Sequence, residues 1–215
     1  MTSAAPITAP RRRRGRRAAA LGLVCLALLS PSWLHAQDDS TTRALRLQFA
    51  QGLTLEIAGR WADALDRFEA IARRRPTANV TYHIGLCHER LGRLRTAERT
   101  YHNARAIADA DANARKASQG VLAEIDARLE DLEGRMPRIV LNLAGATDGV
   151  TLLLDGVVTQ PSRAIRVDPG PHVAVALRHG IPVAASAFSS HERRTRFVTL
   201  TVHPGALRVS SVSRP

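Results

Sequence analysis

Cysteine, lysine and aromatic residues are all scarce in this chain of 215 residues. Two cysteines cannot build a disulfide-dense scaffold. Aromatics amount to 4%, so the core has to come from leucine, alanine and valine contacts. The longest apolar run is well short of the ~20 residues of a comfortable membrane-crossing helix, and no Gly-X-Y period occurs, which excludes multi-span and collagen-like classes. What is present is 45% hydrophobic content, ordinary for a soluble chain that buries one large core or two small ones, and it excludes long disorder over most of the length.

Lys116 is the only lysine among 31 basic residues, so the arginine richness reads as a composition habit rather than selection for phosphate geometry. The net charge of +12 is also unevenly placed. Six arginines, Arg11 to Arg14 with Arg16 and Arg17, precede any acid. Asp38 to Arg135 then carries 16 basic and 15 acidic residues, and Met136 to Pro215 carries 9 and 4. No nucleic-acid partner is expected from that distribution.

The basic start explains itself. Arg11 to Arg17 lead into Ala18–Leu29, an apolar run broken by Ser30-Pro31-Ser32, with Leu34-His35-Ala36 before Gln37. This reads as a secretory signal peptide over residues 1–36, cut near Ala36, giving a periplasmic or secreted chain of 179 residues. Cys25 would leave with it, and Cys87 would remain alone.

From Thr41 to Arg135 proline occurs only at Pro76, and apolar residues recur every three or four positions, the period of amphipathic helices. A repeat lies inside this segment. Gly52, Gly59, Ala64 and Phe68 reappear as Gly85, Gly92, Ala97 and Tyr101, each shifted by 33. Gly59 and Gly92 suit a reversal needing positive φ. Ala64 and Ala97 allow close helix approach, and Phe68 and Tyr101 fill the space one turn on. Arg73-Arg74-Arg75 followed by Pro76 ends a helix through the macrodipole and the missing N–H. The pattern resembles the tetratricopeptide repeat family, with units about 45–77 and 78–111 inside a helical domain 41–135. Gln48 stands where that family often has tryptophan. A long helix at 112–134, with Val121, Leu122, Ile125, Leu129 and Leu132 as its apolar stripe, is expected to cap the array. The resemblance implies a concave groove for a protein or peptide partner, lined by Arg46, Phe49, Leu53, Glu56 and Ile57, then Asn79, Tyr82, Leu86, Glu89 and Arg90. The same side chains would also serve simple internal packing.

Beyond Pro137 the period changes to two: Ile139, Leu141, Leu143; Val150, Leu152, Leu154; Val173, Val175, Leu177; Val198, Leu200, Val202. Turn signals at Gly145, Asp148-Gly149, Asp155-Gly156, Pro169-Gly170-Pro171 and His179-Gly180 separate them. A small antiparallel sandwich over 138–203 is expected, with 204–215 as a tail. Leu154-Asp155-Gly156 and Pro169-Gly170-Pro171-His172, with Gly145-Ala146 and Gly180, resemble the PEGA domain, which implies an extracytoplasmic structural or binding module. His172 is expected to pack beside its turn.

Chemistry-bearing patterns are thin. His83 and Cys87 share a helix face, a spacing that presents two soft ligands, but no third ligand comes within reach by spacing, so Cys87 reads as a small core residue. His88-Glu89 opens like a metalloprotease helix, yet Gly92 holds the second histidine's place. Glu130, Asp131 and Glu133 read as solvated charges pairing with Arg128 or Arg135. Ser186, Ser189 and Ser190 near His191 lack an orienting acid. The expected fold class is therefore α then β, multidomain: signal peptide, helical hairpins with a capping helix, then the sandwich. The expected function is a non-enzymatic interaction or scaffold protein of the cell envelope, without catalytic, cofactor or metal residues. Arg193, Arg194 and Arg196 would face an anionic envelope polymer. The alternatives are an accessory or regulatory subunit docking an envelope enzyme, and a small hydrolase centred on His191.

Overall fold

The computed structural model describes residues 33–110 and 112–204, with side chains from Ser40 onward. The segment up to Ser32, where most of the expected signal peptide and Cys25 fall, and nearly all of the expected C-terminal tail lie outside the described residues. Residues 33–43 form the first turns of a helix, and the described residues from Ala44 on belong to one compact unit.

Five helices come first: α1 (Trp33–Ile57), α2 (Trp61–Ala72), α3 (Ala78–Arg90), α4 (Leu94–Ala108) and α5 (Ala112–Arg135). The first begins ahead of the expected Thr41 and runs through Ala36, because no proline or glycine interrupts Trp33 to Gln51. Two reversals share one geometry. Gly59 and Gly92 take φ of +71° and +73°. At the first, Gly59 N–H donates to the Glu56 carbonyl and Arg60 N–H to that of Leu55; at the second, Gly92 donates to Glu89 and Arg93 to His88. This is the Schellman closure, which satisfies carbonyls the helix end would leave open. Thr77, after Pro76, caps α3 by accepting from Val80 N–H at 3.2 Å.

The small and bulky positions interlock as the repeat predicts. Ala64, Phe68, Ala97 and Tyr101 are fully buried. A Cβ at Gly52 would sit 2.7 Å from Phe68 ring carbons, and one at Gly85 2.7 Å from those of Tyr101. Each glycine is therefore the hollow that receives the ring of the following helix. One cluster joins Leu45, Phe49 and Leu53 of α1 to Leu65, Phe68 and Ile71 of α2 and to Cys87 of α3. A second joins Tyr82, Leu94 and Tyr101 to Val121, Ile125 and Leu132 of α5, which packs on α4 and α3.

Seven strands come after the helices: β1 (Arg138–Gly145), β2 (Val150–Leu154), β3 (Val157–Thr159), β4 (Ala164–Arg166), β5 (Gly170–Arg178), β6 (Ile181–Ser190) and β7 (Thr195–Val202). They form two sheets, β4-β1-β7 and β3-β2-β5-β6, whose inner faces share one aliphatic core including Ile139, Leu141, Leu152, Ala174, Phe188 and Leu200. The purely antiparallel expectation is corrected at one place. β1 and β7 run parallel from Arg138↔Thr195 to Gly145↔Val202, which a hairpin could not achieve; all the intervening strands serve as the crossover. The three-residue strands β3 and β4 carry too little alternation to be seen in sequence.

No linker separates helices from strands. Only Met136 and Pro137 intervene, both buried, so the boundary read at Pro137 marks a change of secondary structure within a continuous unit. Arg193 N–H donates to the Arg135 carbonyl, Arg138 N–H to Arg194 and Val167 N–H to Pro137. Asp168, on the loop before β5, accepts from Arg95 N–H at 2.7 Å and so caps α4, whose own N-cap Arg93 makes no side-chain cap.

Candidate functional site

The ten groove positions divide by environment. Tyr82 and Glu89 are buried, at 8% and 5% exposure, and so are not free to meet a partner with their side chains. Phe49 packs edge-on against Phe68 and His83, and Leu53 adjoins the same cluster. Leu86 is half-buried, whereas Arg46, Ile57, Asn79 and Arg90 are exposed. Arg90 lies over the Trp61 ring at 5.4 Å, a cation–π contact.

The two glutamates, 33 apart in the repeat, do matching work that periodicity alone does not reveal. The Glu56 carboxylate on α1 lies 2.9 and 3.1 Å from Nδ1 of His83 and accepts from Cys87 Sγ at 3.6 Å, both on α3. Glu89 on α3 accepts from Tyr101 Oη at 2.9 Å and from Arg135 at 2.7 Å, with Arg128 at 3.5 Å, both arginines on α5. Each therefore stitches one helical hairpin to the next layer of the stack. Burial, reinforced by the Glu56 charge, pushes the Cys87 thiol up to about 12, so it stays protonated and unreactive. Burial and the Glu89 charge also raise Tyr101. Arg135 is raised first by its hydrogen bond to Glu192, and then by those to Asp131 and Glu89. Among the described residues no group of three or more His, Cys, Asp or Glu has the geometry to hold a metal ion.

A depression of about 380 Å³ opens between α3 and α5, lined by Asn79, Tyr82, Ala117, Gly120, Val121 and Glu124. It brings two groove positions together with a stretch of α5 that sequence reasoning treated only as a cap. Gly120 is its signal: a Cβ there meets nothing within 4 Å.

Arg193 and Arg194 of the β6–β7 turn and Arg196 at the start of β7 are all exposed. Arg193 faces Asp131 at 3.5 Å, and Arg196 lies over Phe188 at 5.7 Å and donates to the Ser189 carbonyl. Asp131 pairs with Arg135 at 2.7 Å, and Glu130 and Glu133 are exposed.

Ser190 does have a histidine and an acid, but the histidine is His172 and not His191, which is exposed. His172 Nδ1 lies 2.7 Å from Asp155 Oδ2 and Nε2 lies 3.0 Å from Ser190 Oγ. Sequence order hid this set, because β5 and β6 pair His172 with Phe188, two residues from Ser190. It lacks the features of a nucleophile. Nε2 points at the Asp168 carbonyl at 2.8 Å and serves as donor there, leaving no lone pair for the hydroxyl. Ser190 itself donates to that carbonyl, and its exposure is 4%. The set acts as a pin joining the β2–β3 turn, the loop before β5, and β6. Asp155 Oδ1 extends it by accepting from Val173 N–H.

No protein-family model matches the chain, and a search of curated proteins finds no match. Among the described residues no helix is long and apolar enough to cross a membrane.

Proposed function

We propose that this is an exported, non-enzymatic interaction protein of the cell envelope: a signal peptide, two tetratricopeptide-like hairpins with a capping helix, and a PEGA-like β module. A protein or peptide partner sits on the face formed by α1, α3 and α5, with Arg46, Asn79, Leu86 and Arg90 at its surface and Gly120 lining its depression. The observation that carries this reading is the recurrence of one packing device at a spacing of 33: glycine hollow, aromatic plug and left-handed glycine bend in each hairpin. Stacked units of that kind leave their first helices aligned along one face. Half-buried Glu56 and buried Glu89 support the array from inside and are not partner contacts.

The test uses Gly120→Leu. Leucine is the better helix former by about 1 kcal/mol and has room, so the variant folds at least as well while filling the depression. Partner capture from an envelope extract is expected to be lost with Gly120→Leu and Asn79→Arg and kept with a substitution at His102, exposed on α4. Undiminished capture by both groove variants would remove the assignment. Export is checked separately: the cell-fractionated protein should begin near Gln37.

A further inference from the structure

A larger cavity, about 770 Å³, lies away from that face, where the N-terminal turns of α4 meet the β module. Its β wall consists of consecutive residues of β3 and of β4, both side-chain parities included, so the strands meet the cavity with their edges rather than with one face. Each is the last strand of its sheet. The cavity is thus the open seam of the sandwich, where two unpaired strand edges face solvent.

Three observations characterise what would fit. First, Asp155 and Gly156 have φ of 51° and 80°, a two-residue turn of type I′, so the flanking pair Leu154↔Val157 exchanges both hydrogen bonds and the next pair, Leu153↔Val158, exchanges none. Val158 therefore directs its N–H and C=O outward. Second, Val157 and Val158 are each 69% exposed on an edge that natural proteins usually guard with charge or proline. Third, the charges are unbalanced. Glu98 is held by Arg166 at 2.7 Å and Asp155 by His172, whereas the guanidinium groups of Arg95 and Arg163 have no ion pair among the described residues. Arg166 also keeps Nε as a buried donor without an acceptor.

We propose that this seam is a second docking site, in which an extended acidic segment of another protein adds to β3. Main-chain pairing at Val158 supplies the register, apolar side chains lie on Val157 and Val158, and carboxylates meet Arg95 and Arg163. This site is independent of the helical face, and either assignment can fail without the other.

The probe is a fluorescein-labelled nine-residue peptide alternating glutamate and valine, blocked at both ends and titrated onto the full chain by anisotropy at low salt. Saturable binding is expected, with a lysine–valine control peptide failing to bind. Affinity should drop about tenfold or more in Arg95→Gln/Arg163→Gln, and by a similar factor in Val158→Pro, which removes the outward N–H but no β2–β3 bond. Without any variant, the Val158 amide should exchange with deuterium about tenfold more slowly when the peptide is present. Absence of saturable binding, or unchanged exchange at Val158, overturns the proposal. So does inorganic polyphosphate binding as tightly as the peptide and insensitive to Val158→Pro, which would mark a site for polyanions of any backbone.

Discussion

Buried polar groups are used differently in the two regions of this molecule. In the helical region Glu56 and Glu89 each reach forward to the next hairpin or cap, to partners 27 and 46 residues along the chain, and Glu89 also holds Tyr101 of its own hairpin, 12 residues on. In the β region the His172 pin gathers a turn, a loop and a strand at one rim, while the aliphatic core beneath is closed by pairing the first strand with the last. The helical region is a stack in which each layer holds the next, and it is weakest at its ends. The β region is two sheets around one core, tied by the long-range β1–β7 pairing, which depends on every strand between being in place.

The sharpest way to break the comparison is to cut one polar centre in each region. Glu89→Ala leaves Tyr101 Oη and Arg135 without their buried acceptor and should cost about 3–5 kcal/mol in urea unfolding. Asp155→Ala frees a turn whose carboxylate is 47% exposed and should cost about 1 kcal/mol. Equal losses would show that the helical stitches are not special.

Glycine substitutions come next. Gly52→Val and Gly85→Val should each cost about 1–3 kcal/mol by overpacking against Phe68 and Tyr101, and by similar amounts, because the two hollows are equivalent. In the β region Gly145→Ala sets a Cβ against the Val202 carbonyl at φ +84°, and rigid backbone cannot yield as a ring can. Its loss should match or exceed that of either helical variant, by the same unfolding measurement.

A smaller effect probes the junction itself. Asp168→Ala removes the cap that the β region lends to α4 and should lower stability by about 1 kcal/mol. Hydrogen exchange should quicken first at Arg95.

The least effect concerns pH. Glu192 is held below its ordinary value, chiefly by its hydrogen bond to Arg135, so its stabilisation is present above the ordinary value and lost as pH falls through the depressed one. His88 is lowered by burial first and by Arg93 second, so the fold prefers it neutral, and stability declines as pH falls below its ordinary value. Both act in the same direction. The urea midpoint should fall on acidification, and less steeply in Glu192→Gln.

Much of this architecture was readable from residues alone. The repeat in glycine, alanine and aromatic positions located both reversals and both aromatic plugs, because each has a local steric cause, whereas the hollows at Gly52 and Gly85 show only once the following helix is packed against them. Period-two runs located β1, β2, β5 and β7, but β6, the longest strand at 10 residues, went unread because its alanine- and serine-rich sequence carries little alternation of apolar and polar residues. The parallel β1–β7 pair was invisible, since alternation fixes which side chains face inward but not which strands are neighbours. The groove list overreached for a related reason: a helix face seen in isolation does not reveal that the next helix already occupies it, as happens at Tyr82 and Glu89. The Asp155–His172–Ser190 pin was missed because Ser190 sits beside His191 in sequence but beside His172 across the sheet.

The most direct test of the helical recognition face is photo-crosslinking in an envelope extract, with a benzophenone amino acid placed at Asn79 in one sample and at His102 in another. Discrete adducts from position 79 that disappear when Gly120→Leu is added, with none from position 102, are the expected result. Adducts from position 102 alone, or adducts from position 79 that survive Gly120→Leu, would contradict it.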